Sequence, residues 1–107
     1  MQLYISTEGN PIAGQAYNLT CDVIIPVGMT APVLVQWQDS SGAISSGSGL
    51  TVGEAVESGA NLSLSLQFSP LRLSHGGRFI CNATTMPAAP PYLLHGQAEF
   101  EFIVEGM

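Results

Sequence analysis

Two cysteines, Cys21 and Cys81, stand sixty positions apart, and the only tryptophan, Trp37, follows the first by sixteen. Each sits in a run where every second residue is apolar: Tyr17, Leu19, Cys21, Val23 and Ile25; Val33, Val35 and Trp37; Phe79, Cys81 and Ala83. Side chains on a strand share a face with period two. The pattern therefore reads as three strands of a two-layer sandwich, with a disulfide joining the layers and an indole packed against it.

The rest of the composition agrees with an all-β chain. Its 107 residues suit one domain spanning 1–107, large enough for a single core. Hydrophobic residues are 46% and charged ones 9%, which excludes a disordered polymer. Twelve glycines and seven prolines punctuate short apolar runs, as turns do in sandwiches. Lysine is absent, arginine occurs twice, and the net charge is −6. A nucleic-acid partner is excluded for want of cations, and so is direct attraction to an anionic membrane. The acidity reads as solubility ahead of an acidic docking face.

Three of the four asparagines lie in acceptor sequons: Asn18-Leu19-Thr20, Asn61-Leu62-Ser63 and Asn82-Ala83-Thr84. Chance in a chain this rich in serine and threonine gives about 0.6. N-linked glycans and an extracellular setting are expected, where a disulfide persists. Met1-Gln2-Leu3-Tyr4-Ile5 has neither a basic start nor a long apolar stretch. The last residues follow directly on a strand pattern. The expectation is a module excised from a longer extracellular protein, with Met1 added.

Along the chain, Leu3-Tyr4-Ile5 reads as a first strand closed by Gly9-Asn10-Pro11, and Ala16 to Ile25 as a second. A small loop, Val27 to Pro32, leads to a third strand, Val33 to Gln38. A turn at Asp39-Ser40-Ser41-Gly42 and a Gly/Ser stretch, Ser45 to Gly49, follow. Leu50 to Val56 is a weak strand, and Ser58-Gly59-Ala60 is a turn. Leu62, Leu64, Leu66 and Phe68 then alternate with Asn61, Ser63, Ser65 and Gln67; strict period two rejects a helix there. Ser69 to Gly76 crosses between the layers, with Leu71 and Leu73 available to plug the core. Gly77 to Thr84 is the next strand, and a twelve-residue loop, Thr85 to Gly96, precedes the last. In that last strand Ala98, Phe100, Phe102 and Val104 alternate with Glu99, Glu101 and Glu105.

Together these residues resemble an immunoglobulin-superfamily domain over nearly the whole chain. Gly14, Leu19 and Cys21 match the family's second strand, and Trp37 its core tryptophan. Leu73, Gly77, Phe79 and Cys81 keep the spacing of its leucine, glycine, tyrosine and second cysteine. The resemblance implies an antiparallel Greek-key sandwich with a core of Trp37, Leu19, Leu64 and Phe79. Phe79 stands where the family usually has its corner tyrosine, and His75 where it usually has an aspartate. The last strand lacks the paired-glycine bulge of antigen-receptor variable domains. The residues between Gln38 and Asn61 leave room for one or two strands beyond the constant type, so an intermediate or variable-like set is expected.

Catalytic chemistry finds no foothold. His75 and His95 are far apart, and Ser74 beside His75 points elsewhere on an extended chain. No nucleophile elbow, phosphate loop or HExxH occurs. Two separated histidines without free cysteines do not make a zinc site. Glu99, Glu101 and Glu105 share a face but lack the closely spaced oxygen ligands of a calcium loop, so a solvated strand face is the reading. The expectation is no enzyme, no cofactor and no metal.

Recognition remains. The loop 85–96 carries Pro87, Pro90 and Pro91, then Tyr92, Leu93 and Leu94. Prolines reduce the entropy lost on docking, and tyrosine is a common contact residue. Two readings stay open: these residues meet a partner, or the leucines fold back over the core's edge. Leu34, Ile80 and Ile103 have outward parity on the sheet of Trp37, where they would make an apolar contact patch. Asn82 shares that parity, so its glycan would sit at the rim, or recognition would use the loop alone. What the resemblance implies is a recognition or adhesion module in a cell-surface receptor ectodomain, a receptor tyrosine kinase among them. It would bind a protein partner or a second copy of itself. A structural spacer and a secreted recognition protein are the alternatives.

Overall fold

Nine strands and one 3-10 turn make up the computed structural model, which describes residues 2–25, 33–39, 42–44, 47, 49–58, 61–85 and 95–106. The strands are β1 (Gln2–Glu8), β2 (Tyr17–Ile24), β3 (Val33–Asp39), β4 (Gly42–Ala43), β5 (Leu50–Val52), β6 (Val56–Ser58), β7 (Asn61–Phe68), β8 (Gly77–Thr85) and β9 (His95–Phe102). The 3-10 turn is Leu73–His75. The expected loop 27–32 and Tyr92, Leu93 and Leu94 lie outside the described residues, as do parts of the expected turns at 39–42 and 58–60 and of the stretch 45–49.

All strand pairs are antiparallel and form two sheets. One runs β1-β2-β7-β5 with β6 also on β7; the other runs β4-β3-β8-β9. Sequence neighbours β2 and β3 lie in different sheets, and β2 pairs with β7 while β3 pairs with β8. Chain crossings of this kind make a Greek key. The molecule is an immunoglobulin-like sandwich.

Alternation explains the layering. On β2 Tyr17, Leu19, Cys21 and Val23 are buried, and on β7 Leu62, Leu64, Leu66 and Phe68. The register pairs Cys21 with Leu64 and Leu19 with Leu66, so the two buried sets share one face. Facing them are Val35, Trp37, Phe79, Cys81 and Ala83. The Cys21–Cys81 disulfide bridges the layers, and Trp37 is the register partner of Cys81. The indole also crosses the gap: its Nε1–H donates to the Leu64 carbonyl on β7 at 3.0 Å.

Phe79 lacks the hydroxyl of a corner tyrosine and takes another role. Its ring stacks on Phe102 at 5.5 Å and meets the edge of Phe68 at 5.8 Å, while Tyr17 closes on Phe102 at 5.0 Å. Such pairs add to what area burial alone provides. Burial holds the Tyr17 phenol above its ordinary ionisation range, partly offset by a hydrogen bond with Thr7.

Three expectations need correction. Leu71 plugs the core at 1% exposure, but Leu73 is 64% exposed. The 3-10 turn rotates Leu73 outward and packs the His75 ring against Phe68 instead, at 5.0 Å. The weak strand 50–56 is two strands. Val52 pairs with Leu66 and Val56 with Ser63, so four steps on one side oppose three on β7, and the extra residue is a bulge. Finally, β9 ends at Phe102, and Ile103 lies beyond it. There the chain leaves β8 and bridges to the segment after β1, with Ala13 N–H donating to the Glu105 carbonyl at 2.8 Å. Between β1 and β2 the turn needs Gly9, whose φ is +94° and where a Cβ would stand 2.8 Å from the Ala16 carbonyl oxygen.

Candidate functional surfaces

The outward faces of the two sheets differ, and the strand registers define both. On the β4-β3-β8-β9 sheet the rows read Leu34–Thr84–His95, then Gln36–Asn82–Gln97, then Gln38–Ile80–Glu99. Leu34 is 44% exposed and Ile80 half-buried. The Gln36–Asn82–Gln97 row separates Leu34 from Ile80, and the Arg78–Glu101 pair stands between Ile80 and Ile103, so the three do not join into one apolar patch. This corrects the expectation from parity, which assigns a face but not a row. The surface is an amide field with two apolar islands.

Asn82 sits at the centre of that field. It lies on β8, an inner strand, between Gln36 and Gln97, and its Nδ2 donates to Gln38 Oε1 at 2.7 Å. A position at the rim is therefore ruled out. Below it, Arg78 pairs with Glu99, and Gln97 Nε2–H donates to the other Glu99 oxygen, Oε1, at 3.3 Å. Hydrogen bonding and charge from Glu99 raise the Arg78 guanidinium still further above neutrality. The pair is exposed and screened by salt, so it orders the surface more than it stabilises the fold.

The opposite face carries Asn18 on β2 and Asn61 on β7, on adjacent strands but at opposite ends. Asn18 pairs with Gln67, and Asn61 with Ile24. Between them Ser63 Oγ–H donates to Asp22 Oδ1 at 2.6 Å, and Thr20 and Ser65 hydroxyls meet at 3.4 Å. Six residues of extended chain separate the two asparagines, about 20 Å.

The two histidines do not combine. His75 Nδ1 accepts the Arg72 backbone N–H at 2.9 Å and tightens the 3-10 turn. His95 is exposed at the start of β9, the register partner of Thr84. A cavity of about 280 Å³ opens beside the turn, lined by Asp39, Leu50, Phe68, His75, Arg78 and Phe79 among others. Among the described residues no group of three His, Cys, Asp or Glu could hold a metal ion. No helix among them is long and apolar enough to cross a membrane. Sequence reading missed the acceptor role of His75 and the indole-to-carbonyl bond. The first had a signal in the histidine that closes the three residues after Arg72; the second had none.

No protein-family model matches the chain, and no curated protein matches it. Among solved structures it is similar to the fourth constant immunoglobulin domain of nurse shark IgNAR, at 13% identity, covering 94% of each chain with a TM-score of 0.48.

Proposed function

We propose that this chain is a non-catalytic recognition module of an extracellular protein, contacting a protein partner through the outer face of β3, β8 and β9. The observation that carries the reading is the division of the sequons. Asn18 and Asn61 stand on one face, whereas Asn82 is held by Gln38 within the amide row of the other. Glycans on the first face leave the second for contact, with Asn82 unmodified. Flat amide rows bordered by Leu34 and Ile80 suit a partner that supplies hydrogen bonds and small apolar anchors. The oxidised disulfide supports an extracellular location. The short β4 beside β3 and the parallel bridge of Ile12 with Glu105 support an intermediate-type sandwich. Membership of a receptor ectodomain, of a receptor tyrosine kinase or another, rests on the sequence resemblance.

The test compares wild type with Leu34→Asp, Ile80→Asp and Tyr92→Asp. Self-association is read by sedimentation, and partner binding by staining cells with a fluorescent tetramer of the chain. Loss of about tenfold or more in either with Leu34→Asp or Ile80→Asp is expected if the face carries contact. Loss with Tyr92→Asp alone moves the contact to the loop. If no substitution changes either quantity while folding is retained, a structural spacer replaces this reading.

A further inference from the structure

Six large apolar side chains are exposed among the described residues; two of them flank one sequon and a third stands one strand further out. Tyr4, Ile24 and Val56 are 54%, 40% and 62% exposed. Ile24 is the register partner of Asn61. Val56 pairs with Ser63, the hydroxyl residue of the same sequon, and is therefore the diagonal neighbour of Asn61 across the β6–β7 edge. Tyr4 pairs with Asp22 and is the diagonal neighbour of Ile24. Directly paired side chains stand about 5 Å apart and diagonal ones about 7–8 Å. Asn61 itself is exposed at the start of β7.

The presence of Val56 in this group follows from the bulge. Leu50 and Val52 pair with the buried Phe68 and Leu66. Val56 has their parity and would turn inward if the strand were continuous. The extra residue between Val52 and Val56 reverses the side and delivers an apolar side chain beside Asn61. An outward-facing valine, isoleucine and tyrosine on a solvated face cost solubility unless something covers them.

We propose that the first sugars of an N-linked glycan on Asn61 cover this group, so that Tyr4, Ile24 and Val56 form a built-in docking platform for their own glycan. Glycan attachment joins Asn61 Nδ2 to C1 of an oligosaccharide carried on a lipid pyrophosphate. The N–C1 bond forms, the C1–O bond to the pyrophosphate breaks, and the amide proton goes to a base. The bulky solubilising chain then starts within the apolar group. The N-acetylhexosamine ring has apolar C–H faces and a polar rim. Its faces pack on Ile24 and Val56 and the next ring reaches the Tyr4 aromatic face, while the rim stays in water. The contrast is Asn18, whose register neighbours are Glu8 and Gln67, both polar. A glycan there has no platform and projects into solvent.

This inference rests on the extracellular reading above, and the experiment separates the two. The chain is secreted from a eukaryotic host, and site occupancy is read by peptide mapping. Melting temperature is measured for the occupied protein, for N61Q and N18Q, and for protein trimmed to a single N-acetylglucosamine. The same substitutions are repeated in an Ile24→Thr, Val56→Ser background, and unglycosylated bacterial protein controls for the side-chain change itself. The expected result is an N61Q melting temperature about 3–6 °C below wild type and an N18Q value within about 1 °C of it. The N61Q difference should fall to less than half in the double-substituted background, where Tyr4 remains, and persist in part with one sugar. Absence of glycan from all three sequons overturns the extracellular reading and the platform together. Asn61 left bare while another sequon is occupied overturns the platform alone. So does an occupied Asn61 with no thermal effect, or an effect that survives undiminished the loss of Ile24 and Val56.

Discussion

The Trp37 side chain is buried at 2% exposure, and its one polar atom reaches the Leu64 carbonyl in the facing sheet. Removing the nitrogen therefore has two effects: it leaves a smaller ring in a filled space and it leaves a buried acceptor without that donor. Trp37→Phe should destabilise by about 2–4 kcal/mol in urea titrations. A loss below about 1 kcal/mol would mean that water replaces the donor. That Trp37 lies inside was legible from parity; that it binds β7 was not. The acceptor is a backbone carbonyl 27 residues away, and no side-chain pattern marks a carbonyl.

At the scale of elements, strands read well from the sequence where alternation is strict and poorly where it is interrupted. β2, β7 and β8 end within a residue of where their alternation does. The segment 50–56 holds too few residues to reveal a change of phase, and only its pairing with β7 exposes the bulge. The 3-10 turn was invisible for a similar reason: its two leucines, Leu71 and Leu73, are alike in chemistry and opposite in exposure. His75 determines which turns in, by accepting the Arg72 N–H and packing on Phe68. His75→Ala should cost about 1–2 kcal/mol. His75→Asp should recover the part due to the acceptor but not the part due to the ring. Equal losses for both variants in thermal or urea melts would assign the whole effect to the ring.

Across the whole molecule the two sheets are tied by the Cys21–Cys81 bond and by aromatic packing at one end. Closing a loop of about 60 residues limits the unfolded chain by about 4 kcal/mol in the chain-entropy account. Typical domains have about 5–15 kcal/mol in all. Cys21→Ala with Cys81→Ala should therefore lower the melting temperature by more than about 15 °C. A drop of only a few degrees would show that the Trp37, Phe68, Phe79 and Phe102 core holds the sheets unaided. The same scale governs the surface. Outward parity groups Asn18 with Asn61 and Leu34 with Ile80, but the distance between members of a face depends on how strands pair.

Alternation, the two cysteines and the tryptophan were enough to determine an antiparallel sandwich and most of its buried residues. The reason is that a strand's side chains have no third direction: once one residue faces the core, its neighbours two away must do so as well. Register, bulge and turn rotation were decided by tertiary structure alone, because they depend on which backbone groups meet across strands far apart in sequence. Register put Asn82 at the centre of its face and separated Leu34 from Ile80, the bulge turned Val56 outward beside Asn61, and the turn sent Leu71 in and Leu73 out.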